Sequence, residues 1–149
     1  WRFTTSTELD LESGGISRTE STHHFTKVEA DFNDDGKIDF ACNAISTSFS
    51  GEGLIVRLSD GEEFKWLILN EIDRGAHHPN VGLDMGIDLV KPGKILTACG
   101  KGYSECGIDE PEELDLKVPS ILYFKLESAS SIFYWDRSTE SFAHIPISV

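Results

Sequence analysis

The run Asp31-Phe32-Asn33-Asp34-Asp35-Gly36-Lys37-Ile38-Asp39 has a spacing that suits a hard metal ion. Side chains ending in oxygen stand at loop positions one, three, five and nine, with glycine at position six. Calcium takes about six to eight oxygens at roughly 2.3 to 2.6 Å. Alternate residues of a tightly curled loop can all aim inward, and Gly36 permits the sharp turn that brings the later ones round. The expected ligands are Asp31, Asn33, Asp35, the main-chain carbonyl of Lys37, and Asp39. Asp34 is expected to face water, and Ile38 to anchor the loop to the core. Without a cation the four carboxylates of this run would repel one another. A closed oxygen cage of this kind leaves no position for a substrate, so a structural ion is expected. The site is not a helical EF-hand, because its twelfth position is Cys42, a soft side chain ill suited to calcium.

Other chemistry finds weaker support. Asp109-Glu110-Pro111-Glu112-Glu113-Leu114-Asp115 is an acidic run that reads as a solvated loop or as a docking patch for a basic partner, with Asp109, Glu110, Glu112 and Glu113 as contacts. Tyr134, between Phe133 and Trp135, is expected to face solvent by strand alternation and to join such a contact surface. His77-His78, with Asp73 or Asp84 as helpers, is a poor zinc site, since adjacent side chains on a strand point to opposite faces. His23-His24 meets the same objection. No serine sits in a Gly-x-Ser-x-Gly elbow, and Gly100-Lys101-Gly102 is too short for a phosphate loop. Nothing selects a pair of carboxylates for glycoside hydrolysis.

There are three cysteines. Cys99 and Cys106 enclose a glycine-rich segment able to fold back on itself, and a bridge there would contribute roughly 2 to 3 kcal/mol through loop closure. Cys42 lies in an apolar strand pattern and is expected to be a buried free thiol. The bridge would place the protein in an oxidising compartment, periplasmic or secreted.

These features need a scaffold. A length of 149 residues implies one domain with a real core, and 39% hydrophobic with 10% aromatic residues excludes a disordered chain. A net charge of −13 repels phosphate backbones and anionic lipid heads, so nucleic-acid and membrane partners are not expected. The longest apolar runs are too short for membrane insertion. The chain opens on Trp1-Arg2-Phe3 without a methionine or signal segment, as a mature or trimmed chain would. Residues 1–24 form a polar segment that reads as loop or short helix, and 25–149 a β-rich calcium-binding domain.

From Phe25 onward the period of two dominates. Val28, Ala30 and Phe32 point one way, and Ile38, Phe40 and Cys42 continue the alternation. Leu54, Val56 and Leu58 are followed by a turn at Asp60-Gly61 and a partner strand with Phe64, Trp66 and Ile68. Further strands are expected around Leu83 to Leu89, Ile95 to Cys99, Leu114 to Val118, Ile121 to Leu126, Ile132 to Trp135 and Phe142 to Ile147. About eight to ten short strands imply a mainly β fold, an antiparallel sandwich or twisted meander.

The segment Ala30 to Asp39 resembles the D-x-N/D-x-D-G-x-x-D loop of FG-GAP and VCBS-type β-repeats, found in exported bacterial proteins and integrin propellers. Only one loop is present, so a propeller is excluded and a single-domain relative is implied. The segments Thr97 to Tyr103 and Glu127 to Asp136 are similar to small exported bacterial proteins carrying one such loop. The reading is an exported, calcium-stabilised, non-enzymatic binding protein, of inhibitor or immunity type, with a protein partner expected to be basic. Its rival is a calcium-supported hydrolase of cell-wall or carbohydrate substrates.

Overall fold

The computed structural model describes residues 1–3, 25–76, 84–125 and 127–149. Among these the chain forms eleven strands and no helix. They are β1 (Arg2–Phe3), β2 (Lys27–Ala30), β3 (Asp39–Ile45), β4 (Gly51–Asp60), β5 (Glu63–Asp73), β6 (Met85–Val90), β7 (Gly93–Leu96), β8 (Glu113–Leu116), β9 (Ser120–Lys125), β10 (Ser130–Asp136) and β11 (Ser141–Ser148). One sheet runs β1-β3-β4-β5, with β2 also paired to β3; a second runs β11-β10-β9-β6; β7 and β8 form a ribbon. Every pairing is antiparallel. The architecture is the expected antiparallel β-sandwich. Both β1 and β2 lie on the same edge of β3, at Ala44–Ile45 and Asp39–Cys42 respectively.

The sandwich core joins Ala30, Phe32, Ala41, Leu54, Val56 and Leu58 of the first sheet and its loop to Ile87, Ile121, Tyr123 and Phe133 of the second. The opposite face of the second sheet is also buried, because the ribbon's Leu114 and Leu116 pack on Ile132, Ile145 and Ile147. The second sheet is therefore the middle of three layers. Pro146 fits this arrangement, since β11 is an edge strand with a register shift there, and a proline has no N–H to give a central ladder.

On β3 and β5 the alternating apolar residues picked out in the sequence lie on the outer face of the first sheet. On β3 it is Ala41 that enters the sandwich, whereas Phe40 and Cys42 lie on the outer face of the first sheet. Ile38 does not anchor the loop; it is 63% exposed, and fully buried Phe32 takes that role, edge-on to Phe142 at 6.5 Å. Burying a phenylalanine is worth roughly 2 to 3 kcal/mol, so the second loop position holds the loop down. On β5, Leu67 and Leu69 pack inward and Phe64, Trp66 and Ile68 are exposed. The reason is common to both: with a strict period of two, one residue of register exchanges the faces.

The β4–β5 turn closes on the pair Asp60 and Glu63, so its central residues are Gly61 and Glu62 instead of Asp60 and Gly61. Gly61 alone of these has a positive φ, 63°. At the far end of the sandwich Glu52, only 1% exposed, accepts N–H groups of Asp84 at 2.9 Å and Met85 at 3.0 Å and a guanidinium N–H of Arg74 at 3.0 Å. This buried carboxylate ties β4 to the start of β6, across the two sheets.

Candidate metal centre

The Asp-rich run is the connection from β2 to β3, and its own side chains close it. The Asp31 carboxylate accepts from the N–H of Asp35 at 3.1 Å and of Gly36 at 2.7 Å. Asp35 accepts from the N–H of Lys37 at 2.8 Å, so Lys37 is bound into the ring through its nitrogen. Two residues hold left-handed conformations, Asp34 at φ 60° and Gly36 at φ 80°. Such a conformation costs an ordinary L-residue roughly 1 to 2 kcal/mol, which glycine avoids and aspartate tolerates.

Asp31, Asn33 and Asp35 converge. One end of the Asn33 side-chain amide lies 3.2 Å from an oxygen of Asp31 and 3.2 Å from one of Asp35. The amide has a second setting. Turned by half a revolution, its nitrogen would donate to both carboxylates.

Asp39 stands differently from the other three. It is fully buried, and its two oxygens accept the N–H of Phe32 and of Ser59, each at 2.9 Å. Burial pushes its pKa above the ordinary carboxylate value; the two N–H bonds pull it back, and the charges of Asp35 and Asp31 raise it again. In this geometry Asp39 braces the loop against β4. Among the described residues no three His, Cys, Asp or Glu side chains converge as a ligand set. A calcium shell here therefore has to draw on the Asn33 amide and on main-chain carbonyls beside Asp31 and Asp35. That donor set is all oxygen and suits the ion.

Asp34 is half-exposed as expected, yet it forms an ion pair with Arg137 of the β10–β11 turn. The partners are 103 residues apart, and the contact joins the loop of one sheet to a turn of the other. No local pattern announces it.

The Cys99–Cys106 disulfide is present, with Cα atoms 5.0 Å apart, and Cys42 is a buried free thiol. Gly100 owes its identity to packing, because a Cβ there would meet the Glu112 carbonyl oxygen at 1.9 Å. Lys101 donates to the Ile147 carbonyl at 2.8 Å. The glycines of this segment thus serve the bridge and the ribbon. In the acidic run, Asp109, Glu112 and Glu113 are exposed. Glu113 is paired with Lys94 at 3.1 Å, and Glu110 accepts the Gly107 N–H at 3.1 Å. Tyr134 does not stand free in solvent. Alternation does turn it away from the sandwich core, where Phe133 packs, but the ribbon covers that side and Tyr134 is half-buried against the Leu114–Leu116 cluster. It lines a groove of about 210 Å³ with Asp115, Lys117, Asp136 and Arg137.

His77-His78 and His23-His24 lie outside the described residues. Their proposed helpers are otherwise engaged: Asp73 accepts the Gly75 N–H at 2.8 Å and Asp84 pairs with Arg74 at 3.3 Å. No helix among the described residues is long and apolar enough to cross a membrane. Compared with known proteins, the chain matches no family model, no curated protein and no solved structure.

Proposed function

We propose that this chain is an exported, non-enzymatic β-domain that binds one calcium ion at the Asp31–Asp39 loop and captures a protein partner, in the manner of an inhibitor or immunity protein. The convergence of Asp31, Asn33 and Asp35 at 3.2 Å carries the calcium part. Two negative charges and an amide dipole are held together there by main-chain bonds, and a divalent ion removes the repulsion. The ion would sit where β2 hands over to β3, beside the Asp34–Arg137 contact between the sheets. Its role is to stiffen the sandwich edge, and affinity of roughly 10⁻⁴ to 10⁻³ M suits an extracellular module.

The disulfide is compatible with a periplasmic or secreted setting. Partner capture is supported by the charge of −13, which would steer a basic toxin or enzyme to the surface. A non-catalytic role agrees with how the two buried carboxylates are used. Asp39 and Glu52 each hold main-chain N–H groups with both oxygens, as braces do.

Calorimetric titration with calcium tests the first part: one site is expected in the native chain and none in Asp35→Ala. Affinity capture from the source organism, with calcium and with chelator, tests the second. A basic protein retained on the native chain supports it; none retained in either condition removes it.

A further inference from the structure

The outer face of the first sheet is apolar and aromatic, and nothing in the function just proposed uses it. Phe64, Trp66 and Ile68 of β5 are 56%, 51% and 54% exposed. Phe3 packs against Phe40 at 6.0 Å and Trp66 at 6.3 Å on the same face. Contiguous exposed apolar surface of this kind marks interaction sites. In its middle stands a cation. The Arg57 guanidinium lies 4.3 Å over the Phe64 ring, 5.5 Å from Phe40 and 5.9 Å from Trp66. Its Nε is buried without a hydrogen-bond partner, and among the described residues no carboxylate pairs with it. That is unusual in a chain holding 26 acids. Packing among three rings restricts the guanidinium's rotamers, and its fork of N–H donors matches a carboxylate.

The second observation concerns the edge. β5 ends the first sheet, so one of its sides has no neighbour among the described residues. The two-residue turn makes Asp60 and Glu63 a mutually hydrogen-bonded pair, after which the ladder alternates. Phe64, Trp66 and Ile68 then direct their N–H and C=O groups away from β4. Beyond Ile68 a register shift interrupts the strand. Among the described residues the straight open edge is thus Phe64 to Ile68. Arg57 belongs to β4, but its head sits over Phe64 of the edge strand, within reach of a strand laid about 4.8 Å farther out.

We infer that the β5 edge accepts an extended segment of a protein partner as an added strand, with one carboxylate of that segment gripped by Arg57. The inference rests on the protein-binding reading and assigns it a surface. Main-chain pairing supplies the affinity and the Arg57 fork the selection. The occupant carries one acid among apolar and neutral or basic residues, because further acids would meet the −13 charge of the domain. A second copy of this chain is disfavoured as occupant for the same reason.

The probe is the peptide acetyl-Val-Thr-Glu-Thr-Val-Thr-amide, whose Glu and Val side chains share one face. It is titrated to about 5 mM while the backbone amides of β5 are followed by heteronuclear NMR. Saturable shifts at Phe64, Trp66 and Ile68 are expected. Binding should weaken about tenfold when the peptide's Glu becomes Gln, and similarly in Arg57→Lys, which keeps the charge and loses the fork. A peptide N-methylated at alternate positions should not bind. No shift overturns the inference, and so do shifts indifferent to both the Gln peptide and Arg57→Lys. Shifts of the same amides with protein concentration alone would assign the edge to a second copy and equally overturn it. Should Arg57→Lys fail to fold, the Gln peptide on the native chain decides. A natural partner whose footprint lies elsewhere would sink this surface and leave the protein-binding reading intact; peptide bound here with no natural partner captured would do the reverse.

Discussion

Replacing Asp39 and Asp35 separately distinguishes a brace from a ligand, although both stand in the same loop. Asp39 is fully buried and satisfies the N–H groups of Phe32 and Ser59 at 2.9 Å each. Alanine at this position strands both donors, and each buried unsatisfied N–H costs about 1 to 3 kcal/mol. Asp39→Ala should therefore lose about 2 to 6 kcal/mol in urea unfolding even with chelator present. Asp35 is exposed and accepts only the Lys37 N–H and a long bond from Asn33. In chelator Asp35→Ala should change stability by no more than about 1 kcal/mol, since it also relieves repulsion with Asp31. Calcium reverses the ranking of interest. At a hundredfold excess over its dissociation constant the ion should stabilise the native chain by about 2.7 kcal/mol, or about 5 to 10 °C in Tm, and Asp35→Ala should gain none of it. A calcium gain in Asp35→Ala equal to that of the native chain would refute the ligand assignment. An Asp39→Ala loss below about 1 kcal/mol in chelator would refute the brace.

Other outcomes follow from the same geometry. Gly36→Ala meets open space, so its cost should be purely that of a left-handed alanine, about 1 to 2 kcal/mol by denaturant unfolding, with little change in cooperativity. Glu52 is desolvated and its pKa stands above the ordinary 4.5, with the Asp84 N–H, Arg74 and the Met85 N–H pulling it part of the way back. Between 4.5 and that raised value the native state holds the extra proton, so this group's contribution to stability falls as pH rises; the component should vanish in Glu52→Gln, read by urea midpoints across pH 4 to 7. Burial lifts the Cys42 thiol to about 11, so a thiol reagent at neutral pH should label it only on unfolding. Reducing Cys99–Cys106 should cost about 2 to 3 kcal/mol in thermal or denaturant unfolding.

Much of the fold is legible in the chain because β-structure writes a short period. The runs around Leu54 to Leu58 and Phe142 to Ile147 fall in strands, as does the described part of Ile121 to Leu126, and Pro119 precedes β9 without entering it. The disulfide and the buried Cys42 are legible for equally local reasons: loop length and apolar neighbours. The loop spacing alone also foretells that Asp31, Asn33 and Asp35 come together, since the bend at Gly36 acts over a few residues.

What only tertiary structure decides is which face of each strand meets another sheet, and what lies across the gap. Period two marks Phe64, Trp66 and Ile68 as one face, but it cannot say that this face is the outer one; that depends on Leu67 and Leu69 finding the second sheet. The same holds for Tyr134, turned outward by alternation and then covered by a ribbon from residues 93–116. The Asp39 brace to Ser59, the Glu52 clasp on β6 and the Asp34–Arg137 pair join residues 20, 33 and 103 positions apart. Such contacts depend on where whole sheets come to rest, and hydrophobic burial sets that collectively. Local spacing records the ring that could hold an ion; packing alone determines which of its acids remain free to do so.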